Sequence, residues 1–171
     1  MPFIHVRYST PSERDLRQPI ATLVTQTTAK VLGKNAELTS LVVERVPADT
    51  WFIAGRSLAD HRKATFFVEV RVTRGTNVKA EKAAYLRETF RAMEDLLGPV
   101  HPESYVHVHE AEGDAYGYGG VSQEARWVRS SSSPEGPTAG EVWPPSDSEV
   151  RARCRAKLRM TQRCTRAWVT V

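Results

Sequence analysis

Three landmarks recur in this chain at one spacing. "VLGK" at 31–34 returns as "LLGP" at 96–99, and "WFIAG" at 51–55 returns as "YGYGG" at 116–120. Gly33 and Gly98, Trp51 and Tyr116, and Gly55 and Gly120 thus each stand 65 residues apart. A constant offset at three points marks one structural unit written twice.

Each copy reads strand, helix, strand. In the first, residues 2–8 alternate apolar and polar side chains as a strand does. Leu16, Ile20, Leu23, Thr27 and Val31 then recur at helical spacing until Gly33 supplies a left-handed C-cap. Pro19 fits this helix in its first turn, where no backbone N–H is needed. "TSLVVERV" at 39–46 is the returning strand. In the second copy, "TFFVEVRVT" at 65–73 alternates cleanly. Asn77 is placed to cap a helix with an apolar stripe of Ala83, Leu86, Phe90, Met93 and Leu97, and "SYVHVHEA" at 104–111 closes the unit. Two such βαβ units with right-handed crossovers give an α+β fold: tandem units forming a four-stranded sheet with two helices on one face. The opposite face is expected to carry alternating apolar residues. Nothing left in the body can cover it, which points to other subunits.

The expected domain spans 1–128, with units at 2–63 and 64–128. From 129 the composition shifts to "RSSSSPEGPTAGEVWPPS", read as a disordered linker, followed by a short basic helical tail with a capping-box pattern at Ser146 and Glu149. Charge follows the same boundary. Residues 129–171 hold eight Lys and Arg against four acids, which accounts for the whole net charge of +4; the first 128 residues carry sixteen of each sign. The body therefore has no basic bias of the kind nucleic-acid binding uses. No apolar run is long enough to span a membrane and no signal-peptide pattern opens the chain, so the expected location is cytoplasmic. Cys154 and Cys164 have no Cys or His neighbour at metal-ligand spacing. They read as reduced thiols, and no metal site or cofactor is expected.

Pro2 stands directly behind Met1, at the head of the first strand. The first residue of a strand tolerates proline, which lacks a ladder N–H. A Met-Pro start also favours removal of the methionine, and the secondary amine then left on Pro2, fixed at the end of a buried strand, can serve as a base.

The Met-Pro start on a strand, the tandem βαβ units, the aromatic before a Gly-containing turn in each copy and the "GK" after the first helix resemble the tautomerase superfamily. The likeness is to fused two-unit proteins of the 4-oxalocrotonate tautomerase type and, more distantly, to macrophage migration inhibitory factor. It spans residues 2 to about 127. The resemblance implies an amino-terminal proline, Pro2, as general acid or base in keto–enol chemistry on a 2-oxo acid or related carbonyl compound, in a homotrimer without cofactor. It places Lys34 where the relative has an active-site lysine; a cation complementing the helix C-terminus is the other reading of that residue. Tyr105 and His107 fall on one strand face, where the relative presents a tyrosine and an asparagine, so that Tyr105 could donate to the enolate with His107 as a second donor. A hydrogen-bonded sheet histidine is the alternative for His107. Trp51 and Tyr116 match the aromatic wall, and core packing would explain them equally.

The chain departs from the pattern in one respect. No arginine occupies the place after the first strand where short tautomerases carry one, and Arg14, Arg71 and Arg74 are the nearby substitutes, Arg71 being the one on a strand. Constant spacing puts Phe67 opposite Pro2, so one active site per chain is expected. Two rivals stand beside this reading. One is a same-fold hydratase or dehalogenase, which needs a first-helix histidine where Thr28 is found. The other is a non-catalytic oligomeric interaction protein in which Pro2 merely starts a strand.

Overall fold

The computed structural model describes residues 1–131. The chain runs β1 (Phe3–Ser9), α1 (Arg17–Leu32), β2 (Ser40–Arg45), a short hairpin of β3 (Phe52–Ile53) and β4 (Arg56–Ser57), and α2 (Leu58–His61). The second half repeats this order with β5 (Thr65–Thr73), α3 (Lys79–Leu97), β6 (Tyr105–Ala111), the hairpin of β7 (Gly117–Tyr118) and β8 (Val121–Ser122), and α4 (Gln123–Ser131). The main sheet has the order β2-β1-β5-β6. The outer pairs are parallel and the central pair, β1 with β5, is antiparallel. This is the expected four-stranded α+β sheet with α1 and α3 side by side on one face. The linker and basic tail expected beyond 128 lie outside the described residues, except that α4 carries the chain through Ser131.

The core is the inner face of the two long central strands closed by the two helices. Ile4, Val6, Tyr8, Phe66, Val68, Val70 and Val72 alternate inward and are fully buried. Each such side chain contributes about 1.5–3 kcal/mol relative to exposure. The helical stripes hold as expected at Leu16, Ile20, Met93 and Leu97 and shift at the other positions. The buried rows are Ile20, Val24, Thr28 and Leu32 in α1 and Tyr85, Thr89, Met93 and Leu97 in α3. These rows correspond one to one at the 65-residue offset. Leu23, Val31 and Phe90 flank them, whereas Ala83 and Leu86 are exposed. The physical reason is a polar contact where the helices meet: the Thr28 hydroxyl lies 3.0 Å from the Tyr85 hydroxyl. Each group satisfies the other, so residues that read as polar take core positions.

Gly33 is left-handed, as expected of the C-cap (φ 65°), and Pro19 sits in the first turn of α1. Asn77 does not cap α3; Val78 occupies that position. The Asn77 amide instead donates to the Leu32 carbonyl and to Glu81, each at 3.0 Å, tying the end of α1 to the start of α3.

Strand register refines the repeat. Ile4 faces Leu41 and Val68 faces Val106. Since Leu41 and Val106 are 65 apart, the first strands of the two copies are related by 64, and the second copy has one more residue between strand and helix. The counterpart of Pro2 is therefore the buried Phe66, not Phe67, whose side chain is on the outer face. Neither offers a second proline.

The outer face is not the apolar surface expected from alternation. Phe3, Val42, Phe67 and Tyr105 share it with His5, Arg7, Glu44, Glu69, Arg71, His107 and His109. Glu44 takes His5 at 3.0 Å and Arg7 at 3.2 Å, and these two partners hold its carboxyl below the ordinary range. Among the described residues no helix is long and apolar enough to cross a membrane.

Candidate active site

The topology gathers one end of the sheet around the N-terminus. Phe3 faces Arg71 near the end of β5, and Thr73 faces Ala111 at the end of β6. The β5–α3 connection and the β7–β8 hairpin both leave the sheet there. Because β2 is parallel to β1 and starts at the same end, the left-handed turn at Gly33 delivers Lys34 to it as well. The result is a cleft of about 530 Å³ whose walls include Met1, Lys34, Thr76, Gln123, Arg126 and Trp127. Pro2 is buried just behind it.

Lys34 is held in place: its ammonium donates to Thr76 Oγ1 at 2.9 Å, and that hydroxyl donates to the Thr73 carbonyl at 2.6 Å. Burial pushes the Met1 amine below its ordinary value, and the charges of Lys34 and then Arg126 push it the same way. All three disfavour the protonated form, so this cleft keeps an amine neutral more readily than water does.

On the outer side of the N-terminus stands Tyr116. Burial raises its phenol above the usual range, opposed by the Phe3 N–H and the charge of Arg71. Arg71 itself donates to Glu69 at 3.0 Å. Pro2, Lys34, Arg71 and Tyr116 thus meet at one end. Trp51, Tyr105 and His107 do not join them within this chain. Trp51 precedes the hairpin at the opposite end, where Val46 follows β2 and bonds the Tyr8 carbonyl. Tyr105 opens β6 beside Phe67, roughly 16 Å along the sheet from the level of Pro2. Its hydroxyl donates to Glu103 at 2.9 Å. His107, two residues on, packs edge-on against His109. Arg14 lies before α1 and Arg74 pairs with Glu112. Thr28, the position the hydratase reading would fill with a histidine, is fully buried in the core.

Two residues of α4 went unread in the sequence. Arg126 Nη2 donates to the Tyr118 carbonyl at 2.7 Å, and its guanidinium carbon lies 3.7 Å from the centre of the Tyr118 ring. Its Nε, and Nε2 of Gln123, are buried without a hydrogen-bond partner among the described residues. The repeat could have found them. At the 65-residue offset Gln123 corresponds to Leu58, Arg126 to His61, Tyr118 to Ile53 and Lys34 to Pro99. The correspondence is structural too: His61 Nε2 lies 3.4 Å from the Ile53 carbonyl, the same helix-to-hairpin link that Arg126 makes to Tyr118. In the first copy, however, Leu58 is buried and His61 packs against His101, so that end is filled where the Pro2 end is open and cationic. Among the described residues no group of three His, Cys, Asp or Glu side chains is arranged to hold a metal ion.

Residues 2–61 match the family model "Tautomerase enzyme". No curated protein matches the sequence. Among solved structures, a fused 4-OT described as a symmetric trimer is 16% identical, with a TM-score of 0.63 over 72% of this chain and 98% of its own. The macrophage migration inhibitory factor-like protein of Entamoeba histolytica is 16% identical, with a TM-score of 0.56 over 68% and 94%. FG41 malonate semialdehyde decarboxylase inhibited by 3-bromopropiolate is 16% identical, with a TM-score of 0.58 over 74% and 95%. At these identities the structures speak for the fold, and the family match is a likeness of residues 2–61. The first unit of the chain thus matches the tautomerase family over residues 2–61, and its body shares the fold of fused two-unit proteins of that kind.

Proposed function

We propose that this protein is a tautomerase acting on a 2-oxo acid or related carbonyl compound, with Pro2 as its general acid–base once Met1 is removed. The observation that carries the reading is the chain's own amino terminus, set in a cleft where burial and two cations disfavour its protonated form. Loss of Met1 moves the terminal amine one residue deeper into the same surroundings. In the enolising direction the neutral Pro2 nitrogen takes a proton from C3 of the substrate. The C–H electron pair becomes the C2–C3 double bond, and negative charge develops on the C2 oxygen. Lys34 is the cation that faces this charge. Ketonisation runs the same path backwards: neutral Pro2 takes the proton of the enol hydroxyl. That proton then passes to C3 as the C2–C3 electron pair forms the new C–H bond and the C2 carbonyl is restored.

The fused 4-OT of similar fold is a symmetric trimer, and a trimer is the assembly proposed here. Tyr105 and His107, on the exposed outer face, would then serve a cleft only across a subunit boundary. Arg71 and Tyr116 stand beside Phe3 at the same end of the sheet, outside the lining of the cleft, and would reach the substrate only from that side.

The test is ketonisation of phenylenolpyruvate and 2-hydroxymuconate by protein whose intact mass shows loss of Met1, against the same protein carrying an N-terminal extension. The processed protein is expected to turn over and the extended one to be inactive while still folded. Equal rates would remove Pro2 from the chemistry and favour the non-catalytic reading.

A further inference from the structure

The two copies of the repeat provide an internal control for the groups that α4 brings to the cleft. Leu58 closes its end of the fold with no polar atom to satisfy, and His61 makes the link to the hairpin carbonyl. In the second copy the same two positions carry Gln123 and Arg126. Arg126 keeps the link, yet both residues leave a buried donor, Gln123 Nε2 and Arg126 Nε, without a partner among the described residues. Packing does not require these donors, since the first copy packs without them. Buried polar groups are ordinarily paired, and an unpaired one costs the full desolvation of the group. The two residues are three apart on one helix, so their side chains neighbour one another. Both also line the cleft that holds the amino terminus.

We infer that Gln123 and Arg126 form the seat for the substrate's carboxylate, leaving Lys34 to the oxygen that becomes the enolate. A carboxylate is the acceptor that fits, because its two oxygens can take one hydrogen bond from an amide and one from a guanidinium at once. Arg126 is already oriented by the Tyr118 carbonyl and ring, so little freedom is lost on binding. Lys34 approaches from the β5–α3 side through Thr76 rather than from α4. The two cations therefore address different parts of one ligand. The inference rests on the proposed tautomerase reading for the identity of the ligand, and on geometry for the division of labour.

The experiment compares phenylpyruvate with its methyl ester, which keeps the shape and loses the charge. Binding is measured by calorimetry on full-length protein lacking Met1. Gln123→Leu and Arg126→His install what the first copy already accommodates at these positions, and the ester serves as a check that the cleft is intact. Wild-type protein is expected to bind the acid more tightly than the ester. Each variant is expected to weaken acid binding by about ten- to hundredfold, the range of a lost charge-assisted hydrogen bond, and to leave the ester unchanged. In turnover of phenylenolpyruvate Gln123→Leu is expected to raise KM with little change in kcat, and Arg126→His, which also removes a charge that lowers the amine, is expected to raise KM when compared at pH 9, above that ionisation. Equal affinity of the wild type for acid and ester, or a parallel loss of both ligands in the variants, would overturn the inference. If tautomerase turnover is absent, the proposed function fails by itself, because the acid–ester comparison does not depend on chemistry.

Discussion

Replacing Lys34 by Met tests the cleft most directly, because it keeps an unbranched apolar stem and removes only the cation. Two consequences follow from where the ammonium stands, and they are read separately. First, the substrate loses a charge-assisted contact worth about 1.5–3 kcal/mol, so kcat/KM should fall about 10- to 150-fold. Second, the base loses one of the charges that holds it neutral. Burial is the largest influence lowering the Met1 amine, Lys34 the next and Arg126 the third, and the Pro2 amine that replaces it is expected to feel the same surroundings. With Lys34 gone, the ionisation should move up toward the ordinary amine value of 8.0 without reaching it, since burial and Arg126 remain. Only the neutral amine accepts a proton, so kcat/KM rises with pH through this ionisation, and in the variant the rise should come at higher pH. The assay is phenylenolpyruvate ketonisation by Met1-free protein across pH 5–9. An unchanged kcat/KM together with an unmoved ionisation would refute the argument and return Lys34 to complementing the end of α1.

Light scattering of the full chain at micromolar concentration should give three times the chain mass; a monomer would refute the proposal that other copies cover the outer face. Ending the chain after Ser131 should preserve turnover, because α4 and the cleft walls are kept whole, whereas ending it after Ser122 removes Gln123, Arg126 and Trp127 and should abolish it. Tyr85→Phe should cost about 1–2 kcal/mol in urea unfolding at fixed protein concentration, since it strands the Thr28 hydroxyl, and adding Thr28→Val should recover part of the loss.

The fold was legible because its period is written in residues that have no substitute. Gly33, Gly55, Gly98 and Gly120 all take positive φ, which side-chain-bearing residues adopt rarely, so their spacing survives where the rest of the repeat has diverged. Strand alternation was legible for the same kind of reason: β5 was placed at 65–73, the bounds the structure gives it. The helical stripes were misread by one position where hydroxyl groups entered the core. A threonine looks like surface until its partner is known, and the partner of Thr28 is 57 residues away. Pro2 was named from the Met-Pro start and Lys34 from the resemblance, and chain direction brings the two together, since the start of β1 and the end of α1 lie at the same edge of a βαβ unit. Gln123 and Arg126 were not legible, because their meaning lies in the difference between the copies, Gln for Leu and Arg for His, rather than in their likeness.

That difference also bears on Tyr105 and His107. The cleft is walled by α4, the β5–α3 connection and Lys34, whereas Arg71 and Tyr116 stand beside Phe3 at the same end of the strands, next to an outer sheet face that no other described element covers. Within one chain the register is fixed by hydrogen bonds along β5 and β6, with Tyr105 at the level of Phe67 and the amino terminus at the far end of the same strands. No side-chain rotation spans that distance. Tyr105 is 55% exposed in the single chain, and a phenol so presented on an edge strand is available to whatever packs against the outer face. A second copy laid on that face could bring a Tyr105 to an Arg71–Tyr116 wall, so assembly and completion of the site become one requirement. Buried Leu58, with His61 packed against His101, already fills the other end of the described fold, so the amino-terminal end is the one such a neighbour would complete.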